Sequence, residues 1–320
     1  MKTRKLILII ADIILLSVVI IQGILKTRDG AKYFELKQEP DCITIQTPSE
    51  TISLVLENDN WFIGDKKYPA DKNSVQNLVD ALSYIRALDK VASVNENSSI
   101  KYELVDGKKI SVTASKEGKT LRSLEIGKEA TANSHAYITV DGGKDIFVAS
   151  GTLKSIFDKA TETLRSKSVW NFEQSDISSA AITFADGKSW TASRIGSGEN
   201  ISWNITGSET ENIEMDSEKI SQMLNSMSNV NAVSWYDDNA TISSLGGDLL
   251  LSAKVGASDK NVSIEIYEIK PSQEALAENS DSDVKPESVF YAKSSETPYI
   301  FRVASYVVDK FNKKPQDIAK

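Results

Sequence analysis

The residues best suited to chemistry are the single histidine, His135, and the adjacent acids Asp237 and Asp238. A Ser-His-Asp hydrolase would have to use His135, but the sequence lacks a G-x-S-x-G motif and places this histidine in a polar loop. Paired carboxylates can cleave glycosidic bonds or bind metal ions. Asp237 and Asp238 follow an aromatic pair in a predicted loop, which favours solvent-facing side chains. We therefore predict no catalytic residue.

A phosphate-binding loop and a zinc site are both excluded, the first by the spacing of its glycines and the second by the number of ligands. Gly118-Lys119-Thr120 is similar to the end of a phosphate-binding loop, but the glycine required five positions earlier is Thr113, so a hairpin turn is the better interpretation. Cys42 is the only cysteine. One cysteine and one histidine cannot supply a four-ligand zinc site, and one cysteine cannot form an internal disulfide. We predict no metal site and no cofactor.

The charge of the chain argues against nucleic acid as a partner. Residues 33–320 carry 31 of the 37 basic residues and 43 of the 45 acidic residues, a net charge of −12. Such a surface is repelled by phosphate backbones, and no basic stripe interleaved with aromatic residues occurs in the sequence. The composition thus predicts a water-soluble body that does not bind nucleic acid.

The strongest signal of organisation is the apolar segment Leu6–Leu25, which follows the basic start Met1–Lys5. A helix of about 20 residues crosses a hydrocarbon core roughly 30 Å thick. A cleaved signal peptide has a shorter apolar region and a small-residue cleavage site, and this segment has neither. We expect a cytoplasmic tail at residues 1–5, an uncleaved transmembrane anchor at 6–25 and a linker at 26–32.

The short tail predicts the orientation of this anchor. Five residues are far easier to leave in the cytoplasm than a body of nearly 300, and Lys2, Arg4 and Lys5 favour the same side. An exported body without disulfides is typical of bacteria. We expect a single-pass protein of the bacterial cytoplasmic membrane with its N-terminus inside and its body outside.

One acidic side chain, Asp12, lies within the predicted span. An aspartate at the centre of a membrane helix costs about 2.5–3.5 kcal/mol, and less near the interface. The favoured interpretation is that Asp12 reaches the headgroups or Lys5. In the alternative, Asp12 and Gln22 contact another membrane protein, which makes them the candidate partner contacts of the anchor.

The first half of the body alternates predicted strands with two helices. Asp71 is a good N-cap for a helix predicted from Asp71 to Leu88, and a second helix is predicted from Thr152 to Leu164. Short alternating segments predict strands at Ile43–Gln46, Ile52–Glu57, Trp61–Ile63, Val91–Val94, Ile110–Ala114, Leu121–Ile126, Tyr137–Val140 and Ile146–Ala149.

The second half repeats this order. Predicted strands at Ala180–Phe184 and Trp190–Arg194 are followed by Trp203, which matches Trp61 at a shift of 142. A shift of 145 carries the first helix onto a helix predicted to begin at the cap Asp216. Asp71, Val75, Leu78, Leu82, Ile85 and Leu88 fall on Asp216, Ile220, Met223, Met227, Val230 and Val233. We predict an α+β fold with two copies of a mainly antiparallel sheet-plus-helix unit, at 33–168 and 169–320. The equivalence of the two tryptophans favours shared core packing over sugar stacking.

The second copy contains a segment without a counterpart in the first. Residues 271–288 are acidic, polar and almost free of large apolar side chains. This composition predicts a mobile surface loop inserted into the second copy.

These features together resemble a family known only as domain of unknown function 4340. The matching residues run in order through 33–165, and more faintly through the second copy: Trp61, Tyr68-Pro69-Ala70-Asp71, the helix Val75–Leu88, Lys101-Tyr102-Glu103-Leu104, Leu124-Glu125-Ile126-Gly127, Tyr137 and Ile146-Phe147-Val148. Glu103 replaces the usual glycine, and the proline that commonly follows is absent. The resemblance implies a membrane helix followed by an α+β repeat, and an accessory role beside ABC-type exporters and gliding-motility auxiliary proteins.

The sequence therefore predicts a non-enzymatic, membrane-anchored binding or scaffold protein outside the cytoplasm. Its expected setting is an ABC-type transport or envelope system, with transporter subunits as partners through the anchor or the body. The alternative is an envelope carbohydrate-binding protein or hydrolase that uses Asp237 and Asp238 or exposed aromatic side chains.

Overall fold

The computed structural model describes residues 31–130, 134–196, 201–211, 214–257, 260–271 and 287–320. The chain divides into two compact units, the first ending at Ser166 and the second beginning at Lys167. Antiparallel sheets with a few helices build both, which confirms the α+β class. The predicted anchor at 6–25 and most of the predicted acidic loop lie outside the described residues. Within the described ranges, no helix is long and apolar enough to cross a membrane.

Ten strands described in the first unit form a single antiparallel sheet. They are β1 (Lys32–Glu35), β2 (Cys42–Gln46), β3 (Thr51–Glu57), β4 (Asn60–Ile63), β5 (Tyr68–Pro69), β6 (Tyr84–Ser93), β7 (Ile110–Lys116), β8 (Lys119–Glu129), β9 (His135–Val140) and β10 (Asp145–Ser150). Their order across the sheet is β1-β6-β10-β9-β8-β7-β2-β3-β4-β5. The sheet therefore brings the early strands β2 to β5 to one side of the central strand β7.

The described part of the first unit contains four helices, of which three contribute buried side chains to the main core and one packs Tyr102 in a separate small cluster. They are α1 (Lys72–Ser83), α2 (Glu96–Tyr102), α3 (Leu153–Phe157) and α4 (Thr161–Leu164). Asp71 caps α1 as predicted, because its Oδ1 accepts the Ser74 N–H at 2.8 Å. The apolar stripe of α1, including Val75 and Leu82, is buried in the same core as Ile43 and Phe157.

Both helices predicted in the first unit differ from the structure, the first in where it ends and the second in its continuity. The first helix was expected to reach Leu88, but α1 ends at Ser83 and the chain continues as β6, paired with β1 and β10. Ile85 fits either period, and at the start of β6 the buried residues Ile85 and Ala87 alternate with more exposed neighbours as in a strand. The second helix, expected at 152–164, is two short helices, because Asp158 and Ala160 leave the helical backbone conformation.

The second unit is built from ten described strands in two sheets. They are β11 (Ser168–Asn171), β12 (Ile177–Phe184), β13 (Ser189–Ile195), β14 (Ser202–Gly207), β15 (Asn229–Asn231), β16 (Ser234–Trp235), β17 (Asp248–Ala257), β18 (Lys260–Ile269), β19 (Val289–Ser294) and β20 (Thr297–Val303). Eight follow the order β14-β13-β12-β17-β18-β19-β20-β16, and β11 pairs with β15. The strands predicted at Ala180–Phe184 and Trp190–Arg194 are confirmed within β12 and β13.

The described part of the second unit contains three α-helices, α5 (Ser217–Ser226), α6 (Ile242–Leu245) and α7 (Ser305–Phe311), and short 3-10 helices at Gln174–Asp176 and Pro315–Ile318. Asp216 caps α5, because its Oδ1 accepts the Glu218 and Lys219 N–H groups. The core contains the fully buried side chains Trp190 and Phe311. Each unit thus has its own hydrophobic core, which positions the side chains on its outer surfaces.

Candidate functional site

The histidine and the cysteine singled out in the sequence both lie half-buried on strands of the first unit. His135 opens β9, half-buried, with Nδ1 3.3 Å from Ser134 Oγ. Cys42 is a half-buried free thiol on β2. Across the described ranges, no group of three or more His, Cys, Asp or Glu side chains is placed to hold a metal ion.

Asp237 and Asp238 lie between β16 and α6. Asp237 is exposed, and its Oδ1 accepts the Asn239 N–H at 2.9 Å, so this carboxylate stabilises a local turn. Asp238 is half-buried. Neither residue lines any of the three clefts described below. The other candidate contacts, Asp12 and Gln22, lie outside the described residues.

A cleft of 460 Å³ in the first unit has Trp61 in its wall, and we call it the Trp61 cleft. Trp61 is half-buried and also packs against the hydrophobic core. The remaining lining is a mixture of polar and apolar groups from β3, β4, the start of α1 and the segment before β2, namely Glu39, Leu56, Asp59, Asn60, Phe62, Pro69, Ala70, Lys72 and Gln76. The cleft therefore joins an aromatic surface to hydrogen-bonding side chains.

Main-chain hydrogen bonds hold the strand segment at Trp61 close to the start of α1. Trp61 is the cross-strand partner of Leu56, and its carbonyl oxygen accepts the Ala70 N–H at 2.9 Å. The next residue, Asp71, caps α1. The strand that carries the indole and the first turn of the helix are thus tied together by hydrogen bonds. On the helix, the Gln76 amide donates to Asp80 Oδ1 at 2.8 Å.

The second unit has a cleft of 300 Å³ around Trp203, and we call it the Trp203 cleft. The Trp203 indole N–H donates to Ser221 Oγ on α5 at 2.8 Å. The Arg194 guanidinium lies 5.9 Å from the Trp203 ring centre and donates to the Ser175 carbonyl at 2.6 Å. Gln174, Ile201 and Asn225 complete the lining. This cleft is cationic where the Trp61 cleft carries charges of both signs.

The two clefts occupy the same place in their units. Leu56 is the cross-strand partner of Trp61, as Arg194 is of Trp203. On the facing helix, Gln76 lies five residues after the cap Asp71, and Ser221 lies five residues after the cap Asp216. The predicted core packing of both tryptophans is correct for part of each ring, since both pack against their cores. Each ring also lines a cleft, which no pattern in the sequence indicated.

The largest of the three clefts, 620 Å³, lies in the first unit between α1 and the pair α3 and α4. Ser74, Asn77 and Ala81 supply its α1 wall, and Ile156 and Lys159 lie opposite. It has no tryptophan among its lining residues. Its polar groups are spread along the walls, and no nucleophile paired with a base is found among them. The geometry of all three clefts suits binding.

A family model described as Domain of unknown function (DUF4340) matches residues 61–248, which is more than half of the chain. The match begins at Trp61, includes Trp203 and both capped helices, and runs across the boundary between the units at Ser166 and Lys167. No curated protein and no solved structure matches the chain.

Proposed function

The chain belongs to the family described as Domain of unknown function (DUF4340), and we propose that it is a membrane-anchored, extracytoplasmic binding and scaffold protein without catalysis of its own. The observation that carries this proposal is the apolar segment Leu6–Leu25, which six residues separate from the start of β1 in the folded body. The acidic, disulfide-free composition of that body suits a soluble domain outside a bacterial cytoplasmic membrane.

We infer that the body consists of two copies of one unit. The order β4-β3-β2-β7-β8-β9-β10-β6 in the first sheet corresponds to β14-β13-β12-β17-β18-β19-β20-β16 in the second. Each helix cap also contacts the end of its own unit, because the Asp71 N–H donates to the Leu164 carbonyl and the Asp216 N–H donates to the Ile318 carbonyl. Agreement in both strand order and closing contacts supports a duplication.

The proposed partner is a transporter of the ABC type, for which this protein would be an auxiliary subunit. The support is the accessory role that the family resemblance implies, together with Asp12 and Gln22 as polar groups in an otherwise apolar span. Polar side chains within membrane helices form hydrogen bonds across helix–helix contacts. The open clefts of the body offer a second surface for binding.

Purification of the intact protein from its native membrane in mild detergent tests this proposal. We expect ABC-type transporter subunits to co-purify in fixed proportion with the wild-type chain. Asp12→Ala should weaken the association if the anchor makes the contact, whereas Asp29→Ala, just outside the span, serves as the matched control. Recovery of the wild-type protein without any transporter subunit would contradict the proposed partner.

Carbohydrate binding is a second candidate function, and one specific observation favours it. Both tryptophan clefts combine an indole with amide, hydroxyl or charged side chains. No comparable observation favours hydrolysis by Asp237 and Asp238, since the Asp237 carboxylate is used within its own turn.

A further inference from the structure

We propose that the Trp61 cleft and the Trp203 cleft are equivalent sites, one in each unit, that bind the pyranose rings of a carbohydrate. Carbohydrate binding at these two clefts would require neither the anchor nor a transporter partner.

The indoles of Trp61 and Trp203 are more exposed than those of the fully packed tryptophans in this protein. Trp170 and Trp190 show what a purely structural tryptophan looks like in this protein, since they are 4% and 1% exposed. Their indole N–H groups donate to the main-chain carbonyls of Met227 and Lys313, both at 2.9 Å. Trp61 and Trp203 are only half-buried and line open clefts. Trp235 is also half-buried but lines none of the three clefts, so the combination of a partly exposed indole with an open cleft distinguishes Trp61 and Trp203.

The side chains that line the two clefts match the chemistry of a sugar ring. A pyranose ring has a face of C–H groups and a rim of hydroxyls, so it needs a flat apolar surface flanked by hydrogen-bonding groups. The indole supplies the flat surface. Asn60 and Gln76 offer amides in the Trp61 cleft, and Gln174 and Asn225 do so in the Trp203 cleft. A primary amide both donates and accepts hydrogen bonds, as a sugar hydroxyl does.

Both clefts are large enough for a small-molecule ligand, and hydrogen bonds hold side chains of the Trp203 cleft in place. Their volumes, 460 and 300 Å³, fall within the range of about 300–1,000 Å³ that is usual for small-molecule sites. Trp203 is held by its hydrogen bond to Ser221, and Arg194 by its hydrogen bond to the Ser175 carbonyl. Side chains fixed before binding lose less conformational entropy when a ligand arrives.

Charge distinguishes the two sites. Glu39, Asp59 and Lys72 line the Trp61 cleft, whereas Arg194 is the charged residue among those that line the Trp203 cleft. An acidic sugar therefore binds the Trp203 cleft more tightly than the Trp61 cleft, because a guanidinium forms charge-assisted hydrogen bonds with a carboxylate. Neutral rings enter both.

The test uses the full-length protein in lipid nanodiscs, labelled with 5-fluorotryptophan, so that each of the five tryptophans gives its own signal. The probes are tetrasaccharides of β-1,4-linked glucose, β-1,4-linked N-acetylglucosamine and α-1,4-linked galacturonate. We expect saturable shifts of the Trp61 and Trp203 signals with at least one probe. The signals of Trp170, Trp190 and Trp235 should stay in place. Unchanged Trp61 and Trp203 signals with all three probes, or equal shifts of all five signals, would overturn the proposal.

Variants assign the effect to the clefts. Trp61→Ala and Trp203→Ala should each weaken binding at their own site by about tenfold or more, on the scale of stacking interactions with aromatic side chains. Gln76→Leu and Asn225→Leu change helix residues that line the clefts, and they keep the test decisive if an alanine variant fails to fold. Trp235→Phe is the matched control outside the clefts. Undiminished binding in a folded Trp→Ala variant and its Leu counterpart would refute the assignment.

Discussion

The indole N–H of Trp203 donates to the hydroxyl oxygen of Ser221 at 2.8 Å, and this bond joins strand β14 to helix α5 in the Trp203 cleft. The same hydroxyl donates to the Ser217 carbonyl one turn earlier, also at 2.8 Å, so its orientation is fixed. In the first unit the corresponding helix residue, Gln76, bonds instead to Asp80. Each cleft therefore lies between a strand and a capped helix, and the two clefts differ in the polar side chains that line them.

Replacing Ser221 tests the importance of this bond. Ser221→Ala removes the acceptor of the indole N–H, and we expect a loss of about 0.5–1.5 kcal/mol in the free energy of unfolding. Gln222→Ala changes an exposed neighbour on the same helix and should have a smaller effect. Urea titration followed by circular dichroism measures both. Equal stabilities of the two variants would show that the bond contributes nothing.

The two helix caps should contribute alike if the units are copies. Asp71→Ala and Asp216→Ala each remove a side-chain acceptor at a helix start, and we expect each to destabilise its own unit by about 1 kcal/mol. Asp71→Asn and Asp216→Asn retain an acceptor and should be close to the wild type. Hydrogen exchange resolved to each unit provides the measurement. A large effect in one unit beside none in the other would contradict equivalent roles.

The first helix also shows how far the sequence could predict the fold. Asp71 and the spacing of Val75, Leu78 and Leu82 located its start and its buried face, because capping and the 3.6-residue period are local properties. Its end was missed because Ile85 is buried equally well by a helix or by a strand. The choice is made by pairing with β1, more than 45 residues away in the chain, which no local pattern contains.

The clefts show the corresponding limit for the site. The shift of 142 between Trp61 and Trp203 was visible in the sequence, and it placed both residues at equivalent positions. Their exposure depends on the cross-strand partners Leu56 and Arg194 and on which face α1 and α5 present. Strand register and helix rotation arise from tertiary packing, so the sequence predicted the equivalence and not the open surface.

The short helices α3 and α7 should contribute similarly to the free energy of unfolding of their units. Phe157 in α3 and Phe311 in α7 are both fully buried, so Phe157→Ala and Phe311→Ala should each cost about 3–5 kcal/mol. Tyr306, also in α7, is 60% exposed, and Tyr306→Ala should cost less than about 0.5 kcal/mol. Thermal unfolding and denaturant titration supply the values. A mild effect of either phenylalanine variant would show that its helix is dispensable.

One ion pair gives the stability a defined pH dependence. Lys109 Nζ lies 2.7 Å from Glu125 Oε1, and this hydrogen bond raises the pKa of Lys109 above 10.5 despite partial burial. Because the folded pKa exceeds the unfolded one, the stabilisation is present below pH 10.5 and is lost as the pH rises through the raised pKa. Lys109→Met should therefore cost up to about 1 kcal/mol at pH 8 and less above pH 11.

The matched control for this pair is Lys108→Met. Lys108 is largely exposed and lies 3.8 Å from Glu103, so its replacement should leave the unfolding free energy unchanged across the same pH range. Denaturant titrations at pH 8, 9.5 and 11 compare the two variants. A Lys109→Met deficit that stays constant with pH would mean that lost packing, and not the ion pair, is responsible.

The anchored, extracytoplasmic placement of the body is tested most directly by protease accessibility in bacterial spheroplasts. The full-length chain would carry one epitope tag at its N-terminus and another after Lys320. We expect added protease to remove the C-terminal tag while the N-terminal tag survives on a small membrane-bound fragment that contains Leu6–Leu25. A C-terminal tag protected until the membrane is disrupted, or a chain recovered in the soluble fraction, would contradict the proposed function.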